Sequence, residues 1–150
     1  MELIKELPAL GRDLGPGLIL IGLTSLAAIL VGCLFEEWET LPWMATATVS
    51  LCGIGLLLRF LPKTSKVPRT STSIAATALV WVIVGLCGSL PFLFTGMSFL
   101  DAAFESMSAW TGTGFSVVAD IEAWPKTLLF WRSFMQWVGG LGIVAFTLTV

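Results

Sequence analysis

Long apolar runs constrain this chain more than any other feature. A helix needs about 20 apolar residues to span the hydrocarbon core of a bilayer, and only structures that pair all their own backbone polar groups can do so. Three runs meet that length, from about Leu18 to Phe35, Leu41 to Leu61 and Ile74 to Phe94, and a fourth, from about Leu128 to Val150, nearly does. Of the 150 residues 56% are hydrophobic and 12% charged, with a mean hydropathy of +0.92. Soluble domains carry roughly 25% charged residues, so too few polar side chains remain here to build a water-facing shell. The predicted fold is an all-α integral membrane protein. Residues 1–70 form an N-terminal transmembrane helix pair with cytoplasmic ends, and 71–150 form an outer helix (72–95), a short re-entrant helix (99–110), a loop (111–116) and an inner helix (128–150).

Charge excludes several functions. The net charge is −2, with no basic tract and no histidine, so neither a nucleic-acid footprint nor a histidine-based metal or acid/base site is available. No nucleophile and base converge anywhere in the chain, and an enzyme is not expected. Cys33, Cys52 and Cys87 lie inside apolar runs at wide spacings, and read as small membrane-buried hydrophobes rather than a disulfide or zinc framework. The segment from Met1 to Gly17 mixes Glu2, Lys5, Glu6, Arg12 and Asp13 with Leu3, Ile4, Leu7 and Leu10. That pattern is not a signal peptide; it suggests a short interfacial helix interrupted at Pro8.

Lysine and arginine set the orientation. Arg59, Lys63, Lys66 and Arg69 follow the second span, whereas Glu36, Glu37 and Glu39 follow the first with no basic residue among them. By the positive-inside rule the 59–73 loop and the N-terminus are cytoplasmic, and the 95–127 connection faces outward. Asp101, Glu105, Asp120 and Glu122 against Lys126 alone agree with that side. Trp38, Trp43, Trp124 and Trp131 fall where an outer aromatic belt is expected.

Thr95 to Lys126 is too polar to span. Within it, Phe99 to Trp110 reads as a helix with Leu100, Ala103, Phe104 and Met107 along one face, and is expected to dip into the membrane. Gly96 supplies an entry turn, Ser98 an N-cap, and Asp101 a carboxylate in the first turn, where the helix dipole favours negative charge. The helix breaks at Thr111-Gly112-Thr113-Gly114, before Phe115-Ser116. A short helix whose C-terminus points into the membrane places partial negative charge and unpaired carbonyls where a dehydrated cation can rest. Gly114 is the residue type that tolerates the backbone angles of the extended run beyond, and Thr111 and Thr113 add hydroxyl oxygens.

The second half of the chain carries Leu90-Pro91-Phe92, Phe104-Glu105-Ser106-Met107-Ser108, Thr111-Gly112-Thr113-Gly114-Phe115, Leu128-Leu129-Phe130-Trp131-Arg132-Ser133 and Gln136-Trp137-Val138-Gly139-Gly140-Leu141-Gly142. With these motifs the region from about Leu90 to Val150 resembles the first pore repeat of the Trk/Ktr/HKT superfamily of potassium transporters, closest to the bacterial TrkH type. The preceding two spans match the extra helix pair of that type. The resemblance implies a potassium selectivity filter at Thr111, Gly112, Thr113 and Gly114, with the carbonyls of Gly112, Thr113 and Gly114 as ion ligands, potassium as substrate and no cofactor. The TrkH pattern usually has threonine where this chain has Gly112, which implies a softer inner site.

Three further features bear on that filter. Arg132 is a charge inside an apolar helix, expected to pair with Glu105 or with filter-loop carbonyls and so support the loop with Phe115, or else to snorkel to the outer headgroups. Gly139, Gly140 and Gly142 admit close helix packing or provide a hinge. A pore needs four filter segments and this chain holds one, so it is expected to be part of a longer four-repeat chain or to assemble with copies of itself. The expected setting is multi-pass in the cell inner (plasma) membrane, in contact with lipid. The resemblance implies a cytosolic nucleotide-binding regulatory subunit as a partner. The competing reading is a non-conducting membrane subunit, or a truncated remnant, packed against another transporter.

Overall fold

The computed structural model describes residues 14–61 and 70–149, with side chains over 14–61 and 74–142. Most of the expected interfacial helix, the basic residues Lys63, Lys66 and Arg69, and Val150 lie outside the described residues. Among the described residues all regular structure is helical. Three helices are long and apolar enough to cross a membrane: Leu14–Leu34, Trp38–Arg59 and Ile74–Thr95.

The first of these, α1 (Leu14–Leu34), is interrupted by a turn at Ser25, whose hydroxyl folds back onto the Gly22 carbonyl at 2.6 Å and meets Thr48 Oγ1 at 2.5 Å. Thr48 lies on α2 (Leu41–Arg59), which packs against α1 through facing glycines. A Cβ on Gly15 would lie 2.6 Å from the Gly55 carbonyl oxygen, and one on Gly55 would lie 2.7 Å from the Gly15 oxygen. Small residues allow this approach between backbones, and dispersion contacts replace the hydrophobic effect that lipid does not supply. Cys33 and Cys52 are half-buried and Cys87 is buried, all three as free thiols.

Helix α3 (Thr70–Ser89) packs against α2 and runs into a 3-10 turn over Leu90–Thr95. Pro91 explains the change, since a proline has no N–H for the α-helical ladder. Gly96, at φ +80, then ends the segment in a left-handed conformation. Helix α4 occupies Phe99–Trp110 and is capped as its residues predict: Ser98 Oγ accepts from the Asp101 amide at 3.2 Å and donates to the Asp101 carboxylate at 2.7 Å. The last helix, α5 (Lys126–Thr149), packs against α4 and against the second half of α1.

The structure adds a direction to one expectation about these faces and corrects another. Leu100 and Phe104, on the apolar face of α4, point out of the chain at 78% and 46% exposure. The buried face is instead made of Ala102, Glu105, Ser106, Ser108, Ala109 and Trp110, whose small residues seat α4 between α3 and α5. Trp124 and Trp131 are not belt residues, for both are buried. Trp131 Nε1 donates to the Gly88 carbonyl at 3.0 Å, and its ring meets Trp110 edge-on at a centroid distance of 6.3 Å. That bond satisfies the indole N–H away from any headgroup. Trp38 and Trp43 are exposed, as a belt requires.

Candidate functional site: the loop after the short helix

Helix α4 stops at Trp110, and the chain turns through Thr111 into a loop whose two glycines take positive φ, +70 at Gly112 and +75 at Gly114. L-residues avoid this region, which is the local reason that glycine occupies both positions. Residues 111–115 are exposed, so the loop has an open side. Among the described residues no hydrogen bond ends on the carbonyl oxygens of Thr111, Gly112 or Thr113. They lie beside the C-terminus of α4, where the helix dipole adds partial negative charge.

The other side of the loop is fastened. The Ser108 carbonyl accepts from the amides of Thr113 at 3.1 Å and Gly114 at 3.4 Å. The Ser108 hydroxyl donates to the Phe115 carbonyl at 2.6 Å. Thr111 Oγ1 donates to the Met107 carbonyl at 2.8 Å, which keeps its side chain on the last turn of α4.

Glu105 and Arg132 form the second fastening. Arg132 Nε lies 3.1 Å from Glu105 Oε2, with the carboxylate side chain fully buried and the guanidinium 12% exposed. The other carboxylate oxygen accepts from Ser116 Oγ at 2.6 Å and from the Val117 amide at 2.7 Å. Arg132 Nη2 reaches the carbonyls of Gly114 at 3.2 Å and Phe115 at 3.4 Å. The alternatives of pairing with Glu105 and holding loop carbonyls are therefore both realised at once, and Arg132 does not snorkel. Glu105 is fully occupied by these partners and none of its contacts faces the open side of the loop.

Gly139, Gly140 and Gly142 differ from one another. A Cβ on Gly139 would fall 1.9 Å from the Trp110 carbonyl oxygen, so this glycine lets α5 touch the end of α4. Gly140 has nothing within 4 Å, and Gly142 meets only Trp81, at 3.8 Å. Close packing thus rests on Gly139.

Three contributors were not singled out by sequence reasoning. Ser108 appeared only inside a family motif, although its place three residues before Thr111 puts it in the turn that borders the loop. Ser116 gave no signal of its own. Glu37 had none either, because its partners are far away in the chain: its carboxylate accepts from the Lys126 amide at 2.7 Å, the Thr127 amide at 2.8 Å and the Thr127 hydroxyl at 2.6 Å. It thereby caps α5 from the connection that follows α1. Burial raises the Glu37 pKa, but the Thr127 hydroxyl, the two amides and the Lys126 charge together lower it below its ordinary value. Among the described residues no group of three His, Cys, Asp or Glu side chains could hold a metal ion.

Comparison with known proteins places this geometry. Residues 43–150 match the family model described as TrkH, cation transport protein. The chain is 34% identical over 149 residues to an uncharacterized cation transporter of Methanocaldococcus jannaschii, covering 97% of this chain and 31% of that protein. It is 37% identical over 146 residues to the Trk system potassium uptake protein TrkH of Halomonas elongata, covering 93% and 30%. The crystal structure of the potassium transporter TrkH from Vibrio parahaemolyticus superposes with a TM-score of 0.86 at 32% identity, over 96% of this chain and 31% of that one. This chain spans a little under a third of the length of each of these relatives. The family match covers well over half of the residues described above, the loop and both its fastenings included, and the chain belongs to the TrkH family of cation transport proteins.

Proposed function

We propose that this chain contributes to potassium uptake across a membrane, and that residues 111–116 are one segment of a potassium selectivity filter. The observation that carries the reading is the set of carbonyls at Thr111, Gly112 and Thr113 that have no hydrogen-bond donor among the described residues, on the open side of a loop that is hydrogen-bonded on its other side. Such oxygens can replace the water around a potassium ion, and the end of α4 adds favourable potential. The names of the relatives, potassium uptake proteins, support potassium as the cargo. Transport, not a catalysed reaction, is the activity that this family's description supports.

In this reading the carbonyls of Gly112 and Thr113, with Thr111, are the ion ligands. The Gly114 carbonyl already accepts from Arg132, which would bring a positive charge up behind any ion held there. Gly114 contributes the left-handed backbone that the turn requires. Arg132, Glu105 and Phe115 support the loop, and Gly139 sets the distance between α5 and α4. Residues 1–70 act as the helix pair and 71–150 as the pore repeat, with α5 as a fourth span. The chain lies in the cell inner membrane with its N-terminus cytoplasmic. A pore needs four such segments, so further repeats or further copies complete it, and a cytosolic nucleotide-binding subunit regulates it.

Rubidium or potassium uptake by cells lacking their own potassium uptake systems tests the reading, with Gly114→Asp as the comparison. Uptake that is lost in the variant supports a filter. Uptake in both at the same rate and the same potassium-over-sodium ratio would remove it.

A further inference from the structure

One residue holds the loop at both of its ends, and it lies outside the loop. The Ser108 carbonyl takes the amides of Thr113 and Gly114, at 3.1 and 3.4 Å, and lies 3.2 Å from the hydroxyl oxygen of Thr113 and 3.4 Å from that of Thr111. The Ser108 hydroxyl takes the far end, donating to the Phe115 carbonyl at 2.6 Å, and also lies 3.1 Å from Thr113 Oγ1. Ser108 is 6% exposed.

Counting hydrogens fixes the direction of this network. Each hydroxyl has one to give, and a carbonyl has none. The hydrogen of Ser108 is committed to Phe115, at the shorter of its two contacts. The hydrogen of Thr111 goes to the Met107 carbonyl at 2.8 Å, and that of Thr113 finds acceptors in the Ser108 hydroxyl at 3.1 Å, the Ser108 carbonyl at 3.2 Å and Thr111 Oγ1 at 3.3 Å. The two threonine hydroxyls thus have acceptors on α4 or at its C-cap and that of Ser108 has Phe115, and with the hydrogens spent there the open side of the loop is left with oxygen lone pairs. That surface suits a dehydrated monovalent cation.

We propose that Ser108 is the positioning residue of the filter: its hydroxyl anchors Phe115, and by spending its hydrogen there it orients the Thr113 hydroxyl with the oxygen outward. The proposal rests on the reading of 111–116 as a filter segment. Ser106 is its natural control, being a hydroxyl equally buried in the same helix whose contact is Met135 Sδ at 3.8 Å, away from the loop.

The test is amide hydrogen exchange of the purified chain in lipid nanodiscs, for wild type, Ser108→Ala, Ser108→Thr and Ser106→Ala, in sodium chloride and in potassium chloride. In sodium, loss of the Ser108 hydroxyl should speed exchange over residues 113–117 by roughly three- to tenfold, the worth of one buried hydrogen bond, and leave α4 itself unchanged. Ser108→Thr should stay near wild type and Ser106→Ala should not move the loop. Should Ser108→Ala fail to fold, Ser108→Cys keeps the volume with a weaker donor and should give an intermediate rate. Equal exchange in wild type and both the Ala and Cys variants, or the same acceleration from Ser106→Ala, overturns the role of Ser108. In potassium, exchange over the loop should slow further in wild type and Ser108→Thr but not in Ser108→Ala; equal slowing in all of them also overturns the orienting role. If potassium slows none of them, Ser108 does not act on an ion held by this single segment; the uptake measurement above decides the filter reading, and the sodium comparison decides whether Ser108 positions the loop.

Discussion

Arg132 and Glu105, on helices that flank the loop from two sides, share one arrangement: Nε of the arginine meets one carboxylate oxygen at 3.1 Å while Nη2 of the same guanidinium reaches the Gly114 carbonyl at 3.2 Å. Removing either partner leaves the other charge uncompensated in a buried place, which costs about 3–5 kcal/mol. Arg132→Gln and Glu105→Gln should each lower stability by an amount of that order in thermal unfolding of the purified chain. Exchanging the two residues should not restore the wild type, because an arginine at 105 cannot reproduce the bonds that Glu105 accepts from Ser116 and the Val117 amide. Full recovery in the swapped variant would show that charge alone matters here.

Gly112 offers a sharper test of backbone conformation than of space. At φ +70 with nothing within 4 Å of a built Cβ, Gly112→Ala meets no clash, and its cost is the left-handed backbone alone, roughly 1–2 kcal/mol. Gly112→Thr adds a β-branch, which is still less tolerant of that region. The expected order of thermal stability is glycine, alanine, threonine. A threonine variant more stable than wild type would mean that the loop takes another backbone path.

Gly139 and Gly140 are neighbours with opposite expectations. An alanine at 139 would press its methyl into the Trp110 carbonyl, at 1.9 Å before any adjustment, while one at 140 meets nothing within 4 Å. Gly139→Ala should lower stability by roughly 1–3 kcal/mol, as overpacking does, and Gly140→Ala should change it little. Equal melting temperatures for the two variants would refute the contact.

Glu37 links stability to pH. Its pKa is lowered in the folded chain, so its contribution is fully present above the ordinary carboxylate value and fades as pH falls through the lower, folded value. Glu37→Gln should therefore melt below wild type at neutral pH, and the gap should narrow under acid. A gap that stays constant with pH would mean that the charge of Glu37 plays no part in capping α5.

Much of this architecture is legible in the residues because its causes are local. Span length follows from counting apolar positions, and the start of α4 follows from Gly96, Ser98 and Asp101, which act within a few residues of one another. The outward turn of Leu100 and Phe104 was not legible, because apolar residues along one helix face mark the inward side only when water lies on the other. Trp131 misled in the same way, because the indole that suits an interface is equally at home where a carbonyl such as that of Gly88 satisfies it. The two readings of Arg132 could not be separated from sequence, since a guanidinium has five N–H groups and serves both.

The capping of α5 by Glu37 has a consequence for how the chain is made. The bond from the Lys126 amide to Glu37 joins residues 89 positions apart, so the carboxylate emerges from the ribosome long before the helix it caps exists. Helices α1 and α2 and the carboxylate between them are thus synthesised before the helix that the carboxylate caps. Because α5 also carries Arg132, the bond that caps its first turn ties the position of the loop carbonyls to the connection between α1 and α2.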